Sequence, residues 1–519
     1  MATSQRTLKN LYRDSVALMQ LTAQLRLLDG IQQASAVMAT ANNISLLLDA
    51  GLLESAPTPS PNDLLIVIEG KDQASVETAL DQAQAALEKP AAVAPDGMTR
   101  ATPPRSIEMG LRAMPAANLA LISTPGEYAA AEARKALQLG LHVMIFSDNV
   151  GVEEEIPLKQ YGREHGLLVM GPDCGTAIIN GIPLGFADVV RRGDIGVLGA
   201  AGTGLQQVTS LIDRLSGGIS QAIGTGSHDL SAQVGGITML QGVQALAADP
   251  ATKVIVLISK PPSAEVMKNV LAAAAASGKP VVVDFIGADP VSITSGGILG
   301  VRTLEDAASA AVKISKGRKV GRLSPHLPAA YGKLARGAAK KLRSKQKYIR
   351  GLFSGGTFCF ETVLLLSETL GTIYSNTPLS PEGRLADVWR SRGHTAIDFG
   401  DDLFTQGRPH PMIDFRLRNE RILQEARDPQ TAVILLDIVL GYGAHPDPAG
   451  ELIPAILEAR KAAAKARRQV IFVGSVCGTE SDPQKLSLQE KRLREAGVLL
   501  MDSNAQAARL CAAIVSKSS

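Results

Sequence analysis

Several kinds of residue are scarce in this chain of 519 residues, and each scarcity excludes something. Aromatic residues make up only 3%, with a single Trp, too few to build stacking platforms for single-stranded nucleic acid. The four cysteines (Cys174, Cys359, Cys477 and Cys511) are far apart and form no CxxC pair. Neither a disulfide framework nor a zinc site is therefore expected. Charge is nearly balanced, with 53 Lys and Arg against 50 Asp and Glu, so no steering toward DNA or acidic membranes is implied. No apolar run approaches the ~18 residues of a membrane span. The opening MATSQRTLKNLYRDS has no signal-peptide core, and the expected setting is cytoplasmic, with reduced thiols.

Glycine, by contrast, is abundant at 49 residues in an apolar background. That combination points to an α/β protein with tight strand-to-helix turns. At about 150 residues per domain the length predicts three domains. Patterning predicts a small α/β unit over residues 1–90, with a helix at 15–28, strands at 33–38 and 63–69, and a helix at 75–87. A Pro- and Ala-rich linker follows at 89–105. Short apolar strands then alternate with helices: strands at 118–123, 142–147 and 167–170, helices at 127–139 and 153–165. Strands of this kind belong to parallel sheets buried on both faces.

A second unit starts at Asp194, and a third, over 348–519, repeats it. Both open with strand, glycine-threonine turn and helix, IGVLGAAGTGLQQ at 195–207 and IRGLFSGGTFCFE at 349–361. Both later carry a matching string, DPATKVIVL at 249–257 and DPQTAVILL at 428–436. The longer interval in the second copy places about 25 extra residues near 378–393. Two similar sheets could pair about a pseudo-twofold axis. Between the units, residues 313–347 hold twelve Lys and Arg and no acid. They read either as a solvated connector or as an anion-attracting rim on the active cleft.

The two turns are the leading candidates for chemistry. Gly202, Thr203 and Gly204, and Gly355, Gly356 and Thr357, let backbone N–H groups at a helix start approach an anion. Neither matches GxxxxGK[ST], so a P-loop is disfavoured. MGPDCG (Gly171, Pro172, Asp173, Cys174, Gly175) follows a strand, where open α/β sheets bind ligands. Cys174 there reads equally as a small buried residue. Asp398, Asp401 and His410, with Asp402, Arg408 and Asp414, suit acid/base work, a hard metal or simple loop capping. For Asp437, Tyr442, His445 and Asp447 capping is favoured at His445, and His142 reads as a structural histidine.

The order of these motifs resembles a known superfamily. Residues 118–299 resemble the α subunit of succinyl-CoA synthetase, through MGPDCG, IGVLGAAGTG, AIGTG at 222–226 (Gly224, Thr225, Gly226) and DPATKVIVLISK at 249–260. From Tyr348 onward the chain resembles the carboxy-terminal domain of that enzyme's β subunit. The whole layout, with IDFGDD at 397–402, GRPHPMID at 407–414 and LFSGGT at 352–357, is identified with the FdrA family. The resemblance implies an α/β fold: a Rossmann-like amino-terminal region (1–192, with an extension), then two flavodoxin-like parallel-sheet domains (193–315 and 348–519) joined by a basic linker (316–347).

Three departures shape the implied mechanism. Ser295-Gly296-Gly297 stands where the synthetase carries a phosphorylated histidine, Lys260 stands where it carries the partnering glutamate, and no ATP-grasp domain is present. Lysine would attract phosphate directly. The resemblance implies a subunit of an oxamate carbamoyltransferase in allantoin and purine catabolism, interconverting oxalurate and phosphate with oxamate and carbamoyl phosphate. Phosphate or carbamoyl phosphate is then the ligand, Lys260, Asp398 and His410 are the catalytic candidates, and no metal is called for. The amino-terminal region lacks the glycine-rich loop that holds coenzyme A in the relative, which ranks coenzyme A behind phosphate. The implied partners are a small anionic substrate and the other subunits, with a homodimer as the default. The alternatives are half of an acyl-CoA synthetase that takes its nucleotide chemistry from a partner subunit, and a non-enzymatic binding scaffold.

Overall fold

The computed structural model describes residues 2–11, 13, 15–26, 28–40, 43–44, 47–48, 52–53, 57, 60, 62–88, 104–321, 327–405 and 408–516. The predicted linker at 89–105 falls almost wholly outside them. The chain forms two compact units, Met1–Pro103 with Thr405–Pro409, and Pro104–Phe404 with His410–Ser519.

The first unit is a three-stranded antiparallel sheet backed by helices. Strands β1 (Ala2–Leu8) and β2 (Ile31–Met38) flank β3 (Leu64–Gly70). β3 reads LLIVIEG and is central because nearly every residue in it is buried. β1 escaped sequence reading, since its half-buried alternation, ATSQRTL, carries little apolar signal. Asp72 starts the helix Gln73–Glu88 by accepting the Ser75 N–H at 2.9 Å. That helix packs Val76, Leu80 and Ala83 onto Leu18, Leu21 and Leu25 of the helix Ser15–Arg26 and onto the β3 face.

The second unit holds three sheets. β4 (Leu119–Ile122), β5 (His142–Ile145) and β6 (Val169–Met170) form a small parallel one. There the His142 Nδ1 accepts the Leu168 N–H at 2.8 Å, the structural role expected of it. The chain then adds β7 (Thr176–Ile179), β8 (Ile182–Gly185), β9 (Arg192–Gly199), β10 (Ile219–Gly224), β11 (Val254–Ser259), β12 (Val281–Phe285) and β13 (Ile298–Gly300). Their order is β13-β12-β11-β9-β10-β7-β8, parallel as far as β10 and antiparallel beyond it. The third sheet, entirely parallel, contains β14 (Tyr348–Phe353), β15 (Ile373–Ser375), β16 (His394–Asp398), β17 (Thr431–Val439), β18 (Ile471–Cys477) and β19 (Leu499–Met501), in the order β15-β16-β14-β17-β18-β19. The α/β class with parallel sheets expected from the sequence is the fold adopted.

The repeat holds in three dimensions. β9 lies between β10 and β11 as β14 lies between β16 and β17, and Leu198 pairs with Ile223 and Leu257 as Leu352 pairs with Ile397 and Leu436. The extra residues of the second copy form the edge strand β15 and the connection from it to β16. Helices Gly202–Arg214 and Leu304–Ser315 from one copy, and Gly356–Leu370 and Asn504–Val515 from the other, share one large core with both sheets.

The basic stretch before β14 ends at the opposite end of the third sheet from its turn. Gln346 donates to the carbonyls of Thr431 (2.8 Å) and Gln469 (2.7 Å), at the starting ends of β17 and β18. The glycine-threonine turns lie at the finishing ends. The reason is topological: a connector must deliver the chain to the beginning of β14.

Candidate functional site

The first turn is built to stay open. Past β9, the Ala200 N–H donates to the Ile258 carbonyl at 3.0 Å, and Ala201 caps the helix without a side-chain bond. The first intrahelical bond runs from the Leu205 N–H to the Ala201 carbonyl, 2.9 Å. The N–H groups of Gly202, Thr203 and Gly204 are the orphans of the helix start, and no acceptor among the described residues reaches them. Gly202 is exposed, and a Cβ there would find only Thr176 Oγ1, at 3.9 Å. Lys260, also exposed, follows β11 two residues past the Ile258 that meets this turn, and its Nζ lies 5.9 Å from the ring centroid of Phe360 on the second turn's helix.

The second turn has a carboxylate buried directly behind it. The Asp437 carboxylate accepts the Ser354 N–H (2.8 Å), the Ser354 hydroxyl (2.9 Å) and the Gly355 N–H (2.8 Å), and lies 3.3 Å from Arg418. Both members of that ion pair are buried. The two turns touch: the Thr357 N–H donates to Thr203 Oγ1 at 3.3 Å. A Cβ on Gly355 would stand 2.7 Å from Thr203 Cγ2, and one on Gly204 would stand 3.1 Å from Thr357 Cγ2. Close approach, rather than turn geometry, demands glycine at Gly355 and leaves little room for a side chain at Gly204.

Asp398, at the end of β16, packs against Gly356, where a Cβ would meet Asp398 Oδ2 at 2.5 Å. Burial lifts its pKa to about 6 against the pull of the Lys260 ammonium and of the Gly400 N–H, which it accepts at 2.9 Å. His410 stands next to it, with Nε2 3.2 Å from the position of a Cβ on Gly400. Its Nδ1 accepts the Met412 N–H at 3.2 Å, and desolvation presses its pKa down to about 4. The ring is therefore neutral at pH 7, and its Nδ1 bond assigns the proton to Nε2. Lys260, Asp398, His410 and the two turns thus form one constellation. Asp401 accepts the Leu403 N–H at 3.1 Å.

MGPDCG approaches the same end of the β9 sheet. A Cβ on Gly226, at φ +91°, would stand 2.3 Å from the Pro172 carbonyl oxygen. Cys174 turns inward: its thiol is buried, lies 3.4 Å from the Gly224 carbonyl, and is pushed up to about 12 by burial. Gly224 and Thr225 are likewise buried, and the Thr225 N–H donates to the Gly199 carbonyl at 2.9 Å. Asp173 reaches solvent, yet the surrounding protein raises its pKa to about 6, with the Asp148 and Asp402 carboxylates adding to the shift.

Sequence reading missed a charge cluster beside Asp173. Lys159 is wholly buried, 2.7 Å from Glu155, 2.7 Å from Asp229 and 2.9 Å from the Thr225 carbonyl. His228, half exposed, holds Nδ1 3.4 Å from Glu155 Oε2, and that carboxylate raises the imidazole pKa. A buried carboxylate behind a half-exposed ring is a general acid/base arrangement. The i,i+4 spacing of Glu155 and Lys159 was visible; their burial was not. His445 caps as favoured, its Nδ1 accepting the Asp447 N–H at 3.1 Å, and Asp447 caps the next helix by accepting the Gly450 N–H at 3.2 Å. All four cysteines are free and buried. Among the described residues no group of three or more His, Cys, Asp and Glu could hold a metal ion, and no helix is long and apolar enough to cross a membrane.

Family models described as "CoA binding domain" and "CoA-ligase" match residues 190–287 and 352–514, and one described as "AllF, heavy metal-associated domain" matches residues 1–103. The chain is 45% identical over 509 residues to "Uncharacterized protein YahF" of Escherichia coli (strain K12), covering 98% of each. The chain belongs to the YahF family. It therefore joins CoA-binding and CoA-ligase modules of the succinyl-CoA synthetase type to an AllF-type amino-terminal domain. It is also 24% identical over 162 residues to the "ADP-forming sulfoacetate-CoA ligase subunit SauD" of Bilophila wadsworthia (strain 3_1_6), 30% of this chain and 54% of that one. Among solved structures, a dinucleotide-forming acetyl-coenzyme A synthetase 1 of Ca. Korarchaeum cryptofilum is 13% identical, with a TM-score of 0.33, over 77% of this chain and 83% of that one. An ATP citrate lyase of Methanosaeta concilii is 17% identical, with a TM-score of 0.35, over 45% of each. At such scores neither bears on the reaction. The CoA-binding match takes in the Gly202–Gly204 turn.

Proposed function

We propose that this chain is the phosphate-handling subunit of an oxamate-type carbamoyltransferase, working with other subunits of that complex in a reducing cytoplasm. The observation that carries this is the asymmetry of the turns. The first offers three unclaimed N–H groups near Lys260 with no acid behind them, whereas the buried Asp437 carboxylate lies directly behind the second and disfavours an anion there. A helix start with open donors and a nearby ammonium suits an inorganic or acyl phosphate. The match of the first 103 residues to an AllF-type domain and the resemblance of the layout to the FdrA family support oxalurate as the substrate in this reading.

In the proposed reaction a phosphate oxygen attacks the ureido carbon of oxalurate, the C–N bond breaks, and oxamate leaves with a proton on its nitrogen. Gly202, Thr203, Gly204 and Lys260 hold the phosphate and the charge that develops on it, each preorganised donor lowering the barrier by about 3 kcal/mol. Asp398, with a pKa near 6, supplies the proton, and the neutral His410 orients the departing amide. Asp173 and Asp401 face the substrate on the MGPDCG side. The test is Lys260→Met in the reconstituted complex with oxamate and carbamoyl phosphate: a loss of about 100-fold in turnover is expected, and unchanged turnover removes Lys260 from the mechanism.

A second reading, an acyl-CoA synthetase half that borrows nucleotide chemistry from a partner subunit, is favoured by the CoA-binding model over residues 190–287. Calorimetry separates the two. Phosphate or carbamoyl phosphate binding without coenzyme A binding supports carbamoyl transfer, and coenzyme A binding that depends on Gly202 supports the ligase.

A further inference from the structure

A cavity of about 590 Å³ lies away from the cleft, at the starting ends of β18 and β19 beneath the helix Gly332–Ala339. Five cations line it, Lys333, Lys341, Arg460, Lys461 and Arg468, and no carboxylate does. Lys333, Lys341 and Lys461 make no ion pair among the described residues. Arg460 donates to the Ala496 carbonyl at 2.6 Å, and Arg468 donates to the Ala426 carbonyl while its Nη1 is buried without a partner. Apart from Gln469 the rest of the lining is apolar, notably Leu334, Phe472 and Leu499.

Like charges crowded around one groove repel unless an anion gathers them. The number of cations calls for several negative charges close together. The apolar floor calls for a body that inorganic polyphosphate lacks, and a planar guanidinium can stack on a heteroaromatic ring. The volume is in the range of small-molecule sites. We propose that this groove binds a nucleoside polyphosphate, its phosphates on Lys333, Lys341 and Lys461 and its base on the floor between Leu334 and Leu499. The site is separate from the cleft and does not depend on the carbamoyl-transfer reading.

The test is calorimetric titration of the full-length protein with ATP, tripolyphosphate and adenosine. ATP binds, and both tripolyphosphate and adenosine bind at least tenfold more weakly. The exposed charge reversals Lys333→Glu and Lys461→Glu each weaken ATP at least tenfold and leave the melting temperature in place, Lys333→Arg restores binding, and Lys260→Met has no effect on it. Failure to bind ATP, equal affinity for tripolyphosphate, or ATP binding that is lost in Lys260→Met but kept in the charge reversals would each overturn the proposal.

Discussion

The two glycine-threonine turns descend from matching sequence, occupy matching places in two sheets and touch each other, yet their electrostatics are opposite. The register explains why. Ile258 of β11 occupies the position that Asp437 occupies in β17, and Gly224 of β10 the position of Asp398 in β16. Two acids thus face the second turn where an aliphatic residue and a glycine face the first. One copy keeps its helix start available to an external anion. The other carries a buried carboxylate behind its turn, which acts as a brace, with Asp398 as a carboxyl held close to neutral pH. A repeated motif marks where a site can be, and the residues opposite it decide whether it is one.

The contrast can be broken most strongly at Asp437. Asp437→Ala strands Arg418 as a buried, unpaired cation and orphans the Ser354 and Gly355 N–H groups, so a loss of about 3–5 kcal/mol is expected in urea unfolding. A loss below about 1 kcal/mol would remove Asp437 as the brace.

Asp398 is next, through pH. Its folded pKa of about 6 stands above the ordinary 3.8. Folding therefore takes up a proton between those values, and this contribution to stability falls as pH rises from 3.8 to 6, by roughly 3 kcal/mol in all. His410 acts the other way: its pKa falls from 6.5 to about 4, so its contribution rises with pH through that window. Asp398→Asn deletes only the falling part. Compared with the wild type, its melting temperature should climb more between pH 4.5 and 6.5, and parallel profiles would assign Asp398 an ordinary pKa.

Converting the first turn toward the second gives a smaller, sharper effect. Ile258→Asp places a carboxylate behind Gly204 and should weaken phosphate at least tenfold, while Ile258→Asn, equally polar but uncharged, retains most of the binding. Equal losses in the two would show that polarity, not charge, matters there. The smallest effect is expected at the contact between the turns. Thr203→Val leaves the Thr357 N–H without its acceptor and should cost about 1 kcal/mol, with phosphate-induced thermal protection reduced but present.

Much of the site was legible in local strings. The turns, AIGTG against AIDFG, and DPATKVIVLI against DPQTAVILLD align Gly224 with Asp398 and Ile258 with Asp437 by letter order alone. The consequence of those pairings could not be read, because a carboxylate acts on whatever the fold brings to it. Asp437 meets Ser354 across 83 residues, and Lys159 meets Asp229 across 70. His228, exposed and without a motif, acquires a role only from the buried Glu155 behind it.

The sequence by itself determined the α/β class, the parallel sheets, the duplication and the places where strands give way to helices. Those features rest on short-range causes: apolar runs set the length of a buried strand, and glycine sets where the chain can turn. Only the tertiary structure decided that Cys174 faces the core, that the basic connector ends at the starting ends of β17 and β18, and that one of the two like turns has a buried carboxylate behind it. Each of these depends on desolvation and charge from residues distant in the chain, which no local pattern records.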